Sequence, residues 1–217
     1  MTDLASVLAA GAQDLGLKLP VLQARQLLDL LSELADWNTR FNLTAIDDPT
    51  EGVRKHLLDS LSIHAHVQGR NLADVGSGAG FPGLPLAIVD PEREVTLIEA
   101  TGKKAQFLEH VRTQLHLDNV RVINSRAEQF KPTTRFDTVI ARALGKLTEF
   151  IRVAGHLAAP GGRLLAMKGQ FPEAELQDLP KGWQATSVQH LVVPGLDAQR
   201  HLVELQKKAG GHSRRRH

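Results

Sequence analysis

The chain has 217 residues, of which 42% are hydrophobic and 23% are charged, and its formal net charge is +2. This composition is typical of one globular α/β domain with an added segment, and the length is short for two independent cores. The absence of Cys and Tyr excludes disulfides, thiolate metal sites, cysteine nucleophiles and tyrosine-based dehydrogenase chemistry. No apolar run reaches the roughly 18 residues of a membrane span, and the N-terminus lacks the basic start of a secretory signal, so we expect a cytoplasmic protein.

The first part of the chain has a helical pattern. Residues 3–18 and 22–36 carry apolar side chains at helical spacing, and the second segment has a broad leucine stripe. The segment WNTRFNLTAI then breaks this periodicity. A third helix is predicted after it, with Asp48 as the N-cap and Pro49 at the first helical position. We therefore expect a helical extension over residues 1–70 that packs on the core.

From residue 71 the pattern changes to short strands that alternate with helices. Five apolar, β-branched runs follow one another, namely NLADVG, EVTLIEA, NVRVINS, FDTVIARA and GGRLLAMKG. This alternation is typical of a doubly wound, mostly parallel α/β sheet. Two further runs, WQATSVQHLVVP and QRHLVELQKK, predict an antiparallel hairpin at one edge and so a seven-stranded sheet. We assign residues 71–208 to this Rossmann-like core.

The last segment, residues 209–217, ends in the basic sequence HSRRRH. Such a tail is typical of a disordered, solubilising end, and weak binding to a polyanion is the alternative. The sequence does not decide between these two interpretations.

A glycine-rich loop, DVGSGAGFPG, follows the first predicted strand. Its spacing differs from the G-x-G-x-x-G of dinucleotide folds because Phe81 stands where the third glycine would be. Phe81 and the following proline would crowd a pyrophosphate at the helix N-terminus. Asp74 adds a negative charge, which disfavours a phosphate and favours a cationic ligand. The loop with Gly76 and Gly78 therefore favours a phosphate-free ligand, and a purely structural turn is the alternative.

Two further strand ends are predicted to meet this loop. Glu99 ends the second strand, where an acid can accept hydrogen bonds from ribose hydroxyls or simply face solvent. Ala127 and Glu128 follow the third strand, where they would lie against an adenine ring and its amine. Because a doubly wound sheet binds its ligand at the carboxyl ends of neighbouring strands, we expect these residues in one crevice.

Several segments resemble a known family. The stretch Asp74–Gly80 looks like the first motif of class I S-adenosylmethionine methyltransferases. The segments WNTRFNLTAI, HLLDSL, DVGSGAGFPGLPLAI, SRAEQF, ARAL and MKGQ, in this order, resemble the bacterial 16S ribosomal RNA guanine-N7 methyltransferases of the glucose-inhibited division protein B family. The resemblance extends from about residue 35 to 205. It implies methyl transfer from S-adenosylmethionine to guanine N7 in the 530 loop of the RNA, free or within the small ribosomal subunit, without a metal.

The resemblance also implies a set of site residues. As S-adenosylmethionine contacts it implies Gly76, Phe81, Ala127, Glu128 and Arg142. From their positions in the predicted crevice we add Asp74, Gly78 and Glu99. Around the transfer site it implies Asn42, His56, Arg126 and Lys168, together with Arg142. Each of these also has an ordinary interpretation, as a surface cation, a half-buried histidine or a turn asparagine.

The residue types fit a reaction at guanine N7. This atom has a lone pair and no proton, so it attacks a methyl group without a general base, and the protein contributes positioning and desolvation. The Asn/Asp-Pro-Pro-aromatic motif of amine methylation and the Cys of pyrimidine C5 methylation are both absent. We expect a monomer. A small-molecule methyltransferase is the main alternative; an NAD-linked oxidoreductase and a non-catalytic binding module are further ones.

Overall fold

The structure is a computed structural model in which residues 3–208 are described. Its strands are β1 Asn71–Val75, β2 Glu94–Glu99, β3 Val120–Asn124, β4 Phe136–Arg142, β5 Ala158–Lys168, β6 Trp183–Leu191 and β7 Arg200–Lys207. Its α-helices are α1 Leu4–Asp14, α2 Val21–Phe41, α3 Pro49–Gly52, α4 Asp59–Leu61, α5 Gly83–Val89, α6 Gly102–Gln114, α7 Leu147–Ala154 and α8 Glu173–Gln177. The basic tail predicted at 209–217 lies outside the described residues.

The seven strands form one sheet in the order β3-β2-β1-β4-β5-β7-β6. Strands β1 to β5 are parallel, and β7 is antiparallel to both β5 and β6. The predicted α/β sheet with an antiparallel edge hairpin is therefore confirmed. The strand order reverses between β1 and β4, and such a switch point opens a crevice at the carboxyl ends of the strands. That crevice is where the glycine loop lies.

Helix α2 is longer than predicted. It continues through Trp37 to Phe41 and ends at Asn42, whose φ of 50° lies in the left-handed region. The helix persists because Trp37 packs on Phe41 and on Phe107 of α6, with ring centroids 5.2 and 5.5 Å apart. Packing against α6 could not be read from local periodicity.

The third predicted helix begins as expected. The Asp48 side chain caps α3 by accepting a hydrogen bond from the Glu51 backbone N–H at 2.8 Å. The chain then forms a π-helical turn over Val53–Leu58 before α4, and such turns are frequent at functional sites. A later short helix, α8, was not predicted, because its five residues are too few for a periodic signal.

The helical extension and the sheet share an apolar core. Leu27 of α2 and Leu57 of the π-helical turn belong to the same buried cluster as Leu84 of α5 and Phe107 of α6. A second cluster on the other face of the sheet holds Phe150 of α7. No helix within residues 3–208 is long and apolar enough to cross a membrane. The shared cluster fixes the extension against the crevice, so that residues from both can line it.

Candidate active site

The loop after β1 folds back over the end of β2. Gly76, Gly78 and Gly80 have φ values of 68°, 59° and 90°, a region that side chains with a Cβ rarely adopt. The Gly76 N–H donates to the Ile98 carbonyl at 2.8 Å. A Cβ on Gly76 would lie 2.9 Å from Leu144, whereas one on Gly78 would meet no atom closer than the Gly76 carbonyl oxygen at 3.9 Å. The positive φ values therefore favour glycine at all three positions, and at Gly76 the close approach of Leu144 adds a steric reason.

The Glu99 side chain binds the backbone of this loop. The carboxylate is buried, with one oxygen accepting from the Gly78 N–H at 2.9 Å and the other from the Thr101 N–H at 2.7 Å. The sequence predicts Glu99 as a ribose ligand and does not reveal this backbone role. Each carboxylate oxygen can accept a further hydrogen bond. Glu99 can thus fix the loop and still bind a ligand hydroxyl.

A first cavity of about 340 Å³ lies at the carboxyl ends of β1, β2 and β3, within the size range of small-molecule sites. Its apolar lining comes from Val75, Ile98, Ala127, Leu144 and Val153. Its charged lining comes from Glu99, Glu128, Glu149, Arg126 and Arg152. Three carboxylates against two guanidinium groups make this cavity favourable for a cation with an apolar body. S-adenosylmethionine, which carries a sulfonium and a nucleoside, fits this lining.

Asp74 lies beneath the loop and does not line this cavity. Its side chain is 0% exposed, and one carboxyl oxygen accepts from the Gly83 N–H at 2.9 Å while the other has no hydrogen-bond partner. Burial raises the pKa of Asp74 to about 7. The structure therefore shows Asp74 joining the loop to the start of α5, and the direct ligand contact expected from its charge stays a prediction.

A second cavity of about 350 Å³ adjoins the first. The consecutive residues Ala143 and Leu144 line the second and the first cavity respectively, so the chain after β4 separates the two. The residues lining the second cavity are Ile46, Lys55, His56, Asp59, Arg142, Ala143, Met167, Lys168, Gly169 and Arg200. Three predicted transfer-site residues that are distant in sequence, His56, Arg142 and Lys168, thus meet in one cavity. With Lys55 and Arg200 the cavity has four cations, against one carboxylate.

His56 is held in a fixed orientation in this cavity. Its side chain is 7% exposed and stacks on Phe81, with ring centroids 4.5 Å apart. Its Nε2 lies 3.0 Å from the Thr44 hydroxyl, and its Nδ1 has no hydrogen-bond partner. Burial, helped by the positive charge of Arg142, lowers the pKa of His56 to about 4. The ring is therefore neutral near pH 7.

Phe81 itself is buried and does not line the first cavity. Its ring stacks on His56, and the Arg142 guanidinium lies 5.5 Å from its ring centroid. Phe81 therefore packs against two residues that line the second cavity. The S-adenosylmethionine contact implied by the resemblance stays a prediction.

Part of the lining of the second cavity is an ion-pair cluster around the buried carboxylate of Asp59. Asp59 accepts from Arg142 at 3.1 Å through one oxygen and from Arg200 at 2.7 Å through the other. Arg142 also donates to the Lys55 carbonyl at 3.1 Å. Neither Asp59 nor Arg200 was predicted as a site residue. Asp59 lies in the segment HLLDSL, where an acidic residue among leucines could have been recognised as a candidate from the sequence. Arg200 lies on the edge hairpin, where nothing in the sequence distinguishes it from an ordinary surface arginine.

Lys168 is fixed by two acceptors. Its ammonium group donates to the Gly145 carbonyl at 2.7 Å and pairs with Glu175 of α8 at 2.8 Å. Glu175 also accepts from the Leu147 N–H at 2.7 Å, which joins α8 to the start of α7. These contacts therefore fix the position of the Lys168 ammonium group at the cavity.

Two predicted transfer-site residues do not line the second cavity. Arg126 is exposed and lines the first cavity beside Ala127 and Glu128. Asn42 is exposed and ends α2, outside both cavities, while its neighbour Thr44 holds His56. The roles of Arg126 and Asn42 stay predictions. Within residues 3–208 no group of three or more His, Asp and Glu side chains is arranged to hold a metal ion.

The chain is similar to a family of ribosomal RNA methyltransferases. The family described as GidB, rRNA small subunit methyltransferase G, matches residues 23–203. Ribosomal RNA small subunit methyltransferase G of Nitrosococcus oceani is 46% identical over 208 residues, which cover 95% of this chain and 97% of the relative. The protein of that name from Methylobacillus flagellatus is 48% identical over 198 residues, covering 91% and 96% respectively.

Solved structures show the same fold. A SAM-dependent methyltransferase from Aquifex aeolicus aligns with a TM-score of 0.57 at 20% identity, covering 76% of this chain and 96% of that one. The glycopeptide N-methyltransferase MtfA, in complex with S-adenosylmethionine, aligns with a TM-score of 0.62 at 12% identity, covering 71% and 88%. With the family match over most of its length, the chain belongs to the GidB family, rRNA small subunit methyltransferase G, and is an S-adenosylmethionine-dependent methyltransferase.

Proposed function

We propose that this protein methylates N7 of a guanine in the 530 loop of 16S ribosomal RNA. Membership of the family supports ribosomal RNA of the small subunit as the substrate. The observation that carries the proposal is the pair of adjoining cavities, one lined by more carboxylates than guanidinium groups and the other by four cations and one carboxylate. The first suits a cationic methyl donor and the second an RNA base with its phosphates. The proposal includes action as a monomer in the cytoplasm.

The first cavity offers groups for each part of the donor. When bound, S-adenosylmethionine supplies a methyl group on a positively charged sulfur. Glu99 would accept hydrogen bonds from the ribose, and Gly76, which lines the cavity without a side chain, leaves room for the ribose. Ala127 and Glu128 would hold the adenine and its amine. These residues bind and orient the donor and exclude water from it.

The second cavity suits a guanine. Guanine O6 is a hydrogen-bond acceptor, and Arg and Lys are its commonest specific partners. Arg142 and Lys168 line the cavity beside the neutral His56 ring. Their ion pairs with Asp59 and Glu175 hold them in place before RNA binds. Hydrogen bonds from these residues to O6 would hold the base and leave the N7 lone pair free, directed towards the boundary with the first cavity.

No group in the second cavity is suited to remove a proton near pH 7. Both oxygens of Asp59 accept from arginines, and His56, with its pKa lowered to about 4, is a weak base. Methylation of an exocyclic amine releases a proton, whereas methylation of N7 does not. The site chemistry therefore favours N7 over the amine.

The pH dependence of the chemical step tests this reasoning. We expect the single-turnover rate, with RNA and donor saturating, to be nearly constant from about pH 6.5 to 9, because no group must lose a proton. His56→Gln should slow the step by altering orientation without creating a pH dependence. A rate that climbs about tenfold per pH unit through pH 7, with the climb abolished in His56→Gln, would contradict the N7 assignment.

The product test identifies the modified atom. The protein is incubated with tritiated donor and either 16S ribosomal RNA or small subunits from cells that lack its gene. Reduction and aniline treatment should then cut the RNA at one guanine in the 530 loop, since these conditions open N7-methylguanine. Incorporated methyl without strand scission would contradict N7, and no incorporation into RNA would favour the small-molecule methyltransferase.

A further inference from the structure

Phe171 is the one Phe or Trp side chain of this protein that the fold leaves on the surface. The chain has seven Phe, two Trp and no Tyr, all of them within the described residues. Phe171 is 53% exposed, whereas every other Phe and both Trp are buried or half-buried. Burying a phenyl ring stabilises a protein by roughly 1.5–3 kcal/mol. An aromatic side chain held outside the core therefore suggests a function at the surface.

Phe171 does not itself line the second cavity but follows two residues that do. Lys168 and Gly169, which precede it on the chain, line that cavity. Its ring contacts His201 edge-on, with centroids 5.7 Å apart and an angle of 80° between the planes. His201 is buried, pairs with Lys168 across the sheet, and has its Nδ1 3.2 Å from the Gly169 carbonyl. The phenyl ring is thus linked through His201 to Lys168 and Gly169 of the cavity lining, and much of its surface is open.

The segment that carries Phe171 is anchored on both sides. Before it, the Lys168 ammonium group binds the Gly145 carbonyl and Glu175. After it, Glu175 of α8 binds both Lys168 and the Leu147 backbone. Because these contacts already order the segment, a ligand that binds the ring meets a preorganised surface and loses less conformational freedom.

We propose that Phe171 is a stacking platform for a nucleobase next to the methylated guanine. This inference rests on the proposed RNA function. Unpaired RNA bases stack on aromatic side chains, and any of the four bases has the required π-face. A guanine in the second cavity would be drawn out of its own stack, so a neighbouring base also loses a partner. Phe171 replaces that partner, and the cations of the cavity attract the adjoining phosphates.

The test compares Phe171→Ala, Phe171→Leu and Phe171→Trp with the wild type. The probes are 16S ribosomal RNA freed of protein and intact small subunits, both from cells that lack the gene. Removal of one base–aromatic stack raises the Kd for RNA about 5- to 150-fold in Phe171→Ala. Phe171→Leu, which keeps apolar volume without a ring, stays close to Ala, and Phe171→Trp stays close to the wild type. The log–log salt slope of binding is the same in all four proteins, because no charge changes.

The matched control is Leu22→Ala. Leu22 is 68% exposed and is the second residue of α2. The side chain of the next residue, Gln23, donates to the Val89 carbonyl, at the end of α5 that is far from the glycine loop. This control keeps the wild-type Kd for RNA. Affinity for S-adenosylmethionine and the Tm stay unchanged in every variant, which shows that fold and donor site are intact.

The outcomes separate the two proposals. Absence of methyl transfer by the wild type to either probe contradicts the RNA function and the platform with it. Transfer by the wild type together with an unchanged Kd in Phe171→Ala overturns the platform alone. Full affinity in Phe171→Leu overturns stacking. A weaker affinity seen only with intact subunits means that the ring contacts a ribosomal protein, and this also overturns the nucleobase assignment.

Discussion

Two buried ionisable side chains, Asp74 and His56, have pKa values shifted in the direction that disfavours their charged forms. Burial raises the pKa of Asp74 to about 7 and lowers that of His56 to about 4. Both positions are identifiable from the sequence, where Asp74 is interpreted as a negative charge near the ligand. Its burial depends on the loop and α5 folding over β1, which neither periodicity nor composition reveals. At the residue scale, the identity of a site residue could be predicted and its ionisation state could not.

The pKa of Asp74 leads to a testable effect on stability. An unfolded Asp loses its proton near pH 4, whereas the folded protein keeps the Asp74 proton to about pH 7. Between these pH values the folded state binds more protons than the unfolded state, so the free energy of unfolding falls as pH rises. The total decrease from this group is on the order of a few kcal/mol, and it is reached above pH 7. We expect Asp74→Asn to gain stability relative to the wild type between pH 4 and 7.

Urea unfolding of both proteins at pH 5, 6, 7 and 8, without donor, measures this difference. The gain should grow with pH and level off near 8. A difference that is the same at all four pH values would show that Asp74 does not change its ionisation on folding.

Elements with a strong local signal were predicted well, and elements that depend on tertiary contacts were not. The seven strands and the capped start of α3 follow from β-branched runs and from the Asp48–Pro49 pair. The extra turn of α2 depends on packing of Trp37 against α6. Helix α8 is held by Glu175, whose partners lie on other elements. The glycine loop has both a local and a tertiary component. Its turn could be predicted from the glycines, whereas its hydrogen bond to Glu99 could not.

The loop allows a matched test of the donor site. Gly78 and Gly16 both have positive φ, 59° and 71°, and a Cβ at either position would meet no atom closer than 3.9 Å. Replacing either with Ala should cost about 1–2 kcal/mol of stability through backbone strain alone. Gly16 lies in the turn after α1, far from the crevice, so only Gly78→Ala should weaken binding of S-adenosylmethionine.

Calorimetric titration and urea unfolding of the two variants check this expectation. Equal decreases in stability with an unchanged donor affinity in Gly78→Ala would contradict the assignment of the loop to the donor. An equal decrease of affinity in Gly16→Ala would show that general destabilisation is the cause.

The whole molecule has a formal net charge of only +2, so its attraction for RNA depends on where the charges lie. The cations of the second cavity come from the π-helical turn, β4, β5 and β7. Arg200 and Asp59 are 141 residues apart in sequence. The positions of Arg142 and Lys168 at neighbouring strand ends follow from the sequence, since parallel strands share an edge. The position of Arg200 does not, because an antiparallel edge strand has no fixed register with the crevice.

The salt dependence of RNA binding tests this distribution. Removal of one phosphate interaction should reduce the log–log salt slope by about 0.7 to 0.9. Arg126 is exposed and takes part in none of the ion pairs found within residues 3–208, so Arg126→Gln should reduce the slope by this full amount. Lys168 is paired with Glu175, so Lys168→Gln should change the slope less. Arg142 is left intact because its replacement would leave Asp59 with a single partner.

Arg25→Gln is the control, because Arg25 is exposed on α2 and pairs with Asp29 at 3.8 Å. It should keep the wild-type slope and affinity. All variants are compared at saturating S-adenosylmethionine, since Arg126 also lines the first cavity, and the Tm of Arg126→Gln should stay within the usual range for a surface substitution. Equal slopes in the wild type and in the Arg126→Gln, Lys168→Gln double variant would mean that RNA phosphates do not approach this edge of the sheet. RNA would then have to reach the second cavity across another surface of the protein.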